Sequence, residues 1–166
     1  MTKNYYLQEA HDREVFYNTG LSVPFVIFDG TEVVWEASPA NYDSVYAEYI
    51  DAARRKVPYF NLSVDSAVAS PTVGRFDLKI VAADTIPDDE ILAFVAITED
   101  SLPGNPFTFM HVVRSLQQFP LDLAYPDSLD TTITFSHNIP PDNMKTVIFI
   151  QNMDTKEIMQ AIMREF

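Results

Sequence analysis

The sequence predicts an α+β protein in which a helix–hairpin–helix unit precedes an antiparallel β-sandwich. Two segments of helical character lie in the first 57 residues, and a strong hairpin signal lies between them. From residue 57 onward, apolar runs of strand length alternate with clusters of Pro, Asp, Asn and Ser. Short strands with regular turn signals are typical of antiparallel sandwiches. We therefore expect two units, residues 1–57 and residues 58–166.

The first unit is predicted element by element. Residues 8–17 form a helix that Gly20 ends. Residues 23–28 (VPFVIF) are a continuous apolar run, so we expect a strand buried on both faces. Asp29-Gly30 predicts a short hairpin, and residues 32–35 form the returning strand. Residues 43–56 form a second helix that Val57-Pro58 closes, with an apolar face at helical spacing made of Val45, Tyr46, Tyr49, Ile50 and Ala53.

The second unit is predicted to contain at least six strands. They cover residues 59–64, 74–82, 91–98, 107–114, 131–135 and 146–151. Residues 154–166 have two readings: Ile158, Ala161 and Ile162 suit a helix, whereas a last sandwich strand is the alternative.

Charge and composition exclude several classes of function. The chain carries 24 acidic and 11 basic residues, a net charge of −13, which argues against binding nucleic acid. Its basic cluster, Arg54-Arg55-Lys56, is expected at the end of the second helix, where cations offset the helix dipole. No run approaches the roughly 20 apolar residues of a spanning helix, so we predict no membrane span.

Few residues suit catalysis or metal binding. The absence of Cys excludes disulfides, thiolate nucleophiles and thiol redox chemistry. His11, His111 and His137 lack metal-ligand spacing, and the acidic turns lack a calcium-loop pattern. Only four Gly are present, too few for phosphate-cradling loops. We predict no catalytic residue, no metal and no cofactor; a hydrolase with an unrecognised carboxylate site stays open as an alternative.

Two sets of residues resemble known proteins. FYNTG at residues 16–20 and VPFVIFDG at residues 23–30 resemble the second half of a thioredoxin fold, in which Pro24 would be a cis residue. LAFVAITED at 92–100, MHVVR at 110–114, VIFIQN at 147–152 and TKEIMQA at 155–161 resemble the twenty-eight-kilodalton outer-membrane protein family of bacteria. That resemblance implies a thioredoxin-like unit joined to an immunoglobulin-like β-sandwich on the cell envelope. The resemblance implies an architecture and a location but no catalytic mechanism.

The resemblance leaves one strand without its usual neighbour. The half of a thioredoxin fold that carries CxxC should precede Leu7 and is missing from this sequence. An apolar strand with a bare edge is a template for pairing with another strand. We therefore expect a second copy of the chain, another part of it, or a partner's strand to cover residues 23–28. A sequence that is a fragment of a longer protein is the alternative.

These observations predict a non-catalytic cell-envelope module that self-associates or binds a protein partner through an exposed sheet edge. A surface fibre or layer subunit is an alternative. The first residues lack the apolar segment of an export signal, so a cytoplasmic location is the alternative to an envelope or extracellular one. The predicted interface consists of Tyr5, Tyr6, Val23, Pro24, Phe25, Val26, Ile27 and Phe28.

Overall fold

Two helices and two short strands make up the first part of the chain. The structure, a computed structural model, describes residues 6–19, 25–34, 42–87, 89–104 and 106–166. The elements of the first part are α1 (Gln8–Tyr17), β1 (Val26–Phe28), β2 (Glu32–Val34) and α2 (Tyr42–Ala53). Helix α1 has its predicted bounds. It ends at Asn18, which adopts a left-handed conformation (φ 53°) and donates its N–H to the Val15 carbonyl at 3.0 Å.

The predicted hairpin is confirmed. Strands β1 and β2 pair antiparallel, with Ile27 opposite Val33. Asp29 and Gly30 in the turn have positive φ values of 48° and 77°, the conformation that favours Asp and Gly in tight hairpins. The Thr31 N–H donates to the Phe28 carbonyl across the turn at 3.1 Å.

The rest of the chain is dominated by strands. They are β3 (Phe60–Ala69), β4 (Val73–Ala82), β5 (Ile91–Glu99), β6 (Leu102–Pro103), β7 (Thr108–Phe109), β8 (Val112–Pro120), β9 (Ser128–Ser136), β10 (Met144–Asn152) and β11 (Ile158–Glu165), with a short 3-10 helix at Pro141–Asn143. One sheet has the order β11–β10–β5–β8 and the other β3–β4–β9, while β6 and β7 form a separate small hairpin.

The two large sheets pack face to face around one apolar core. Phe60, Phe76, Ile80, Ile148 and Ile150 have no exposed surface, and they come from both sheets. Strand β4 alternates inward and outward residues as expected for one buried face. Strand β5 is buried along nearly all its length, because α1 lies over part of the outer face of its sheet. The α+β class and the β-sandwich are confirmed; an immunoglobulin-like topology and the division at residues 57/58 stay predictions.

Two sequence predictions are wrong in detail, and a third, left open, is settled. The strand expected at residues 107–114 is two strands, because His111 has a positive φ of 55° and interrupts the extended backbone. The true strand β8 continues to Pro120 through polar residues that hid the pattern. Of the two alternatives for residues 154–166, the strand is confirmed, since the residues of β11 pair antiparallel with β10. Strand β1 is half-buried and not buried on both faces.

The second helix is shorter than predicted. It ends at Ala53, and the Lys56 N–H then bonds the Ala53 carbonyl in a tighter turn. Arg54, Arg55 and Lys56 therefore follow the last turn of the helix and do not lie in it. Ile50, expected on the apolar face, is 40% exposed.

Candidate functional site

The predicted interface residues are only partly within the described chain. Tyr5, Val23 and Pro24 lie outside it, and so does the predicted cis bond at Pro24. Tyr6 is 62% exposed and donates its hydroxyl hydrogen to Gln8 Oε1 at 2.8 Å. Phe25 to Phe28 are all half-buried and lie in or beside β1.

The outer edge of β1 has no strand beside it among the described residues. The hairpin is a two-stranded sheet in which β2 is the sole partner of β1 there. Because directly opposed residues share a face, Ile27 and Val33 lie together on one side, and Val33 is 49% exposed. Within the described ranges, this hairpin therefore has an unpaired edge and one partly solvated apolar face.

Aromatic rings support the other face of the hairpin. Phe28 stacks on Tyr49 of α2, with centroids 5.2 Å apart and planes 9° from parallel. It also meets Tyr46 edge-on at 5.3 Å, and Tyr46 in turn stacks on Tyr42 at 5.5 Å. An isolated two-stranded hairpin is marginal in water, and packing on a helix stabilises it. These rings thus explain why α2 and the hairpin form one unit.

The turn of this hairpin is attached to the turn between β10 and β11. The Ile158 N–H donates to the Asp29 carbonyl at 2.7 Å. Lys56 Nζ lies 3.0 Å from Glu157 Oε1 and 3.5 Å from Asp29 Oδ2, and the hydrogen bond with Glu157 raises the pKa of Lys56. A Cβ at Gly30 would overlap the Lys156 carbonyl oxygen. This contact requires a glycine.

Helix α1 is attached to the sandwich by a polar network around Arg13. One Arg13 Nη donates to Tyr17 Oη at 2.9 Å and to Gln151 Oε1 at 2.5 Å. Gln151, which is fully buried, donates through Nε2 to Tyr17 Oη at 2.7 Å and to the Lys156 carbonyl at 2.6 Å. Lys156 Nζ donates to the Phe16 carbonyl at 2.7 Å. Residues 138 positions apart in sequence thus meet in one network.

Aromatic rings surround the Arg13 guanidinium. Its Cζ lies 4.8 Å from the ring centroids of Phe16, Tyr17 and Phe94, within the reach of about 6 Å for a cation–π contact. Phe94 stacks on Phe149 at 4.8 Å on the outer face of the sheet. Burial lowers the pKa of Arg13, partly offset by Tyr17. Sequence reasoning missed this cluster, although Arg13 stands three and four residues before two aromatics, as contacts on one helix face require.

The three histidines lie apart and each has a local partner. His11 Nδ1 lies 3.1 Å from Glu14, and His137 Nδ1 lies 3.1 Å from the Ile139 carbonyl. The backbone N–H of His111 donates to Asp100 Oδ1 at 2.6 Å. Over the described ranges, no group of three or more His, Asp or Glu side chains is placed to hold a metal ion.

Asp100 is a nearly buried carboxylate at the opposite end of the sandwich from the β1–β2 turn. Lys145 Nζ lies 3.0 Å from its Oδ2 and also 3.2 Å from Glu165. The His111 N–H bond, followed by the Lys145 bond, holds the pKa of Asp100 below its usual value. Both partners favour the ionised form, so this carboxylate has a structural role and is poorly suited to accept a proton.

Comparison with solved structures supports the fold. HBP35 of Porphyromonas gingivalis is similar over 96% of this chain, with a TM-score of 0.71 and 8% identity; the match spans 58% of that protein's chain. A protein of Agrobacterium tumefaciens is similar over 98% of this chain and 72% of its own, with a TM-score of 0.64 and 15% identity. At such identities the likeness shows the fold alone.

The predicted family is not shown by these comparisons. A domain of the outer membrane lipoprotein Omp28 from Porphyromonas gingivalis is similar over 67% of this chain and 90% of its own, at 12% identity, but its TM-score of 0.47 supports no inference. No protein-family model and no curated protein matches the sequence. Neither α1 nor α2, the helices of the described ranges, is long and apolar enough to cross a membrane.

Proposed function

We propose that this chain is a non-catalytic binding or assembly module of the cell envelope, and that it associates with a second copy of itself through the outer edge of β1. One observation carries the proposal: β2 is the sole strand partner of β1 within the described residues. Unpaired backbone N–H and C=O groups at such an edge can bond an added strand. The predicted interface residues Phe25, Val26, Ile27 and Phe28 would lie at this contact.

A second copy suits the edge for reasons of symmetry. Two β1 strands that pair antiparallel across a twofold axis present the same surface to each other, which closes the contact at a dimer. The two hairpins would then form one four-stranded sheet, and three or more strands are far more stable than two. Repeated head-to-tail contacts would instead give an open polymer, the fibre or layer subunit that is the alternative.

The location and the absence of catalysis are proposed on separate grounds. The envelope location rests on the sequence resemblance of residues 92–100, 110–114, 147–152 and 155–161 to an outer-membrane protein family. A non-catalytic role is supported by the separate local partners of the three imidazoles, Glu14, Asp100 and the Ile139 carbonyl. Asp77 and Asp130, two carboxylates that line one pocket, form ion pairs with Arg75 and Lys79, which suits a structural role better than the hydrolase alternative.

Net charge gives this association a characteristic salt dependence. Two chains of net charge −13 repel each other, and salt screens that repulsion. The screening length falls from about 10 Å at 0.1 M salt to about 3 Å at 1 M. We therefore expect self-association to strengthen as ionic strength rises, the opposite of an ion-paired interface.

Light scattering coupled to gel filtration tests the proposal. We expect the mass of the wild-type chain to rise from one copy to two between low and high micromolar concentration. Ile27→Lys places a charge on the edge strand and should keep the mass at one copy. Val68→Lys is the matched control, because Val68 is 61% exposed on β3, an edge strand of the other sheet.

Three results would contradict the proposal. One is a wild-type mass of a single chain at all concentrations and salts. The second is a dimer that Val68→Lys breaks and Ile27→Lys does not, which would place the contact at a different edge. The third is a mass that grows without limit, which would favour the open polymer.

A further inference from the structure

A cleft of about 400 Å³ lies between α1 and the outer face of the four-stranded sheet. Helix α1 forms one wall, and Phe94 and Leu116 on neighbouring strands form much of the other. The α1 residues that line it are Glu9, Asp12, Arg13 and Phe16, which share one face of the helix. The volume is at the lower end of the range for small-molecule sites, roughly 300–1,000 Å³.

Arg13 lines this cleft and has no anionic partner among the described residues. Arg13 directs one Nη to the neutral oxygens of Tyr17 and Gln151, and no carboxylate of the described chain forms an ion pair with it. A guanidinium has five N–H donors, and the bonds to Tyr17 and Gln151 use one Nη only, not Nε or the other Nη. Arg13 is half-buried, and its charge contacts only aromatic rings and neutral oxygens among the described residues.

Two carboxylates line the same cleft. Glu9 stands four residues before Arg13, the spacing that normally favours an ion pair on a helix, yet no such pair forms. Asp12 accepts a hydrogen bond from Gln8 Nε2 at 2.8 Å and likewise forms no ion pair with Arg13. The cleft is therefore lined by one cation, Arg13, by two carboxylates that do not pair with it, and by apolar side chains.

We propose that this cleft binds a small zwitterion with an apolar side chain, such as a free apolar α-amino acid. Its carboxylate would bond Arg13, and its ammonium group would face Glu9 and Asp12. Its side chain would pack against the apolar surfaces of Phe94 and Leu116. This site is separate from the proposed β1 edge and does not depend on self-association.

Charge complementarity distinguishes this ligand from simpler ones. A plain anion would meet Arg13 but would be repelled by the two carboxylates and by a protein of net charge −13. A plain amine would meet the carboxylates but would be repelled by the guanidinium. A molecule with both charges satisfies both groups at once.

Calorimetric titration of the whole chain tests the ligand class. The probes are L-phenylalanine, N-acetyl-L-phenylalanine, which has no ammonium, and L-phenylalanine amide, which has no carboxylate. We expect L-phenylalanine to bind and each analogue to bind at least about tenfold more weakly, since each loses one charge-assisted interaction. No binding of L-phenylalanine at millimolar concentration, or equal binding of an analogue, would overturn the proposal.

Substitutions place the binding in the cleft. Leu116→Trp fills the cleft without removing any hydrogen bond of Arg13, and it should weaken L-phenylalanine binding at least about tenfold. Val68→Trp adds the same bulk at an exposed position of the other sheet and should leave binding unchanged. Arg13→Met also removes the attachment of α1, so Leu116→Trp is the deciding variant. If Leu116→Trp binds L-phenylalanine as tightly as the wild type does, the site lies elsewhere and the inference is overturned.

Discussion

The sandwich and the elements that precede it are held together by different kinds of contact. The sandwich encloses aromatic and aliphatic side chains that are completely removed from solvent, such as Phe60, Phe76 and Ile148. Neither α1 nor α2 contains a buried residue. Ring stacking, cation–π contacts and a few polar bonds hold the first part in place. Stability within one protein is uneven, and regions with few buried contacts open most easily.

This difference bears on function because the proposed contact lies in the weaker region. An edge strand in a marginal unit gains stability when another strand covers it, whereas a strand within the sandwich already has its partners. The sandwich can therefore act as a rigid support, and the hairpin with α2 as the part that responds to a second copy. The following variants test this division, from the largest expected effect to the smallest.

The largest effect is expected in the sandwich core. Phe76→Ala removes a fully buried ring that contacts Phe135 and Phe166, and it should destabilise the whole protein by about 3–5 kcal/mol. Urea unfolding followed by circular dichroism measures this loss. A loss of less than about 1 kcal/mol would show that the sandwich is not the dominant core.

A smaller effect is expected at the attachment of α1. Gln151→Ala leaves the Tyr17 hydroxyl, the Lys156 carbonyl and the Arg13 guanidinium each without one partner, which should cost roughly 1–3 kcal/mol. Amide hydrogen exchange should show the greatest loss of protection in α1. Gln117→Ala, at an exposed position of β8, is the control and should change exchange little. An equal loss of amide protection in α1 and in β4 would contradict the idea that α1 opens separately from the sandwich.

The hairpin turn offers a more local test. In Gly30→Ala, the alanine would have to adopt a positive φ of 77°, and its Cβ would overlap the Lys156 carbonyl. We therefore expect the free energy of unfolding to fall by more than about 1 kcal/mol. The Ile158 amide, which donates to the Asp29 carbonyl in this turn, should exchange faster. Gly104→Ala produces a similar overlap with Phe107 in the distant β6–β7 hairpin. In that control the exchange rate of the Ile158 amide should stay unchanged. Faster exchange of this amide in both variants would mean that it does not report on the Asp29–Ile158 contact alone.

Acid should act on the sandwich through Asp100. Its pKa is lowered in the folded state, so its contribution to stability is present above the unfolded value of about 3.9 and is lost as pH falls through the lower folded value. The difference in urea midpoint between wild type and Asp100→Asn should therefore be larger at pH 7 than at pH 3. An equal difference at both pH values would mean that ionisation of Asp100 does not stabilise the fold.

Local sequence signals predicted the elements that depend on local interactions. The bounds of α1 and the Asp29-Gly30 turn follow from neighbouring residues, and the apolar run at residues 91–98 marks strand β5. Strand β8 was misplaced because it is an edge strand with exposed polar residues such as Gln117 and Gln118. Its apolar alternation is correspondingly weak.

The attachment of the first part could not be predicted in the same way. Arg13 meets Gln151 across 138 positions, and a Gln in an apolar strand gives no indication of its partner. The charges of the cleft likewise become a site only when α1 lies on the sheet. That another strand covers residues 23–28 was expected from a resemblance, and this stays a prediction.

Hydrogen exchange measured at two protein concentrations tests the central claim most directly. If a second copy covers the edge of β1, amides of Val26, Ile27 and Phe28 should exchange more slowly at high concentration, while those of Phe76 and Ile80 in the sandwich stay unchanged. Exchange in β1 that is the same at both concentrations, while light scattering reports a dimer, would place the contact elsewhere and contradict the account.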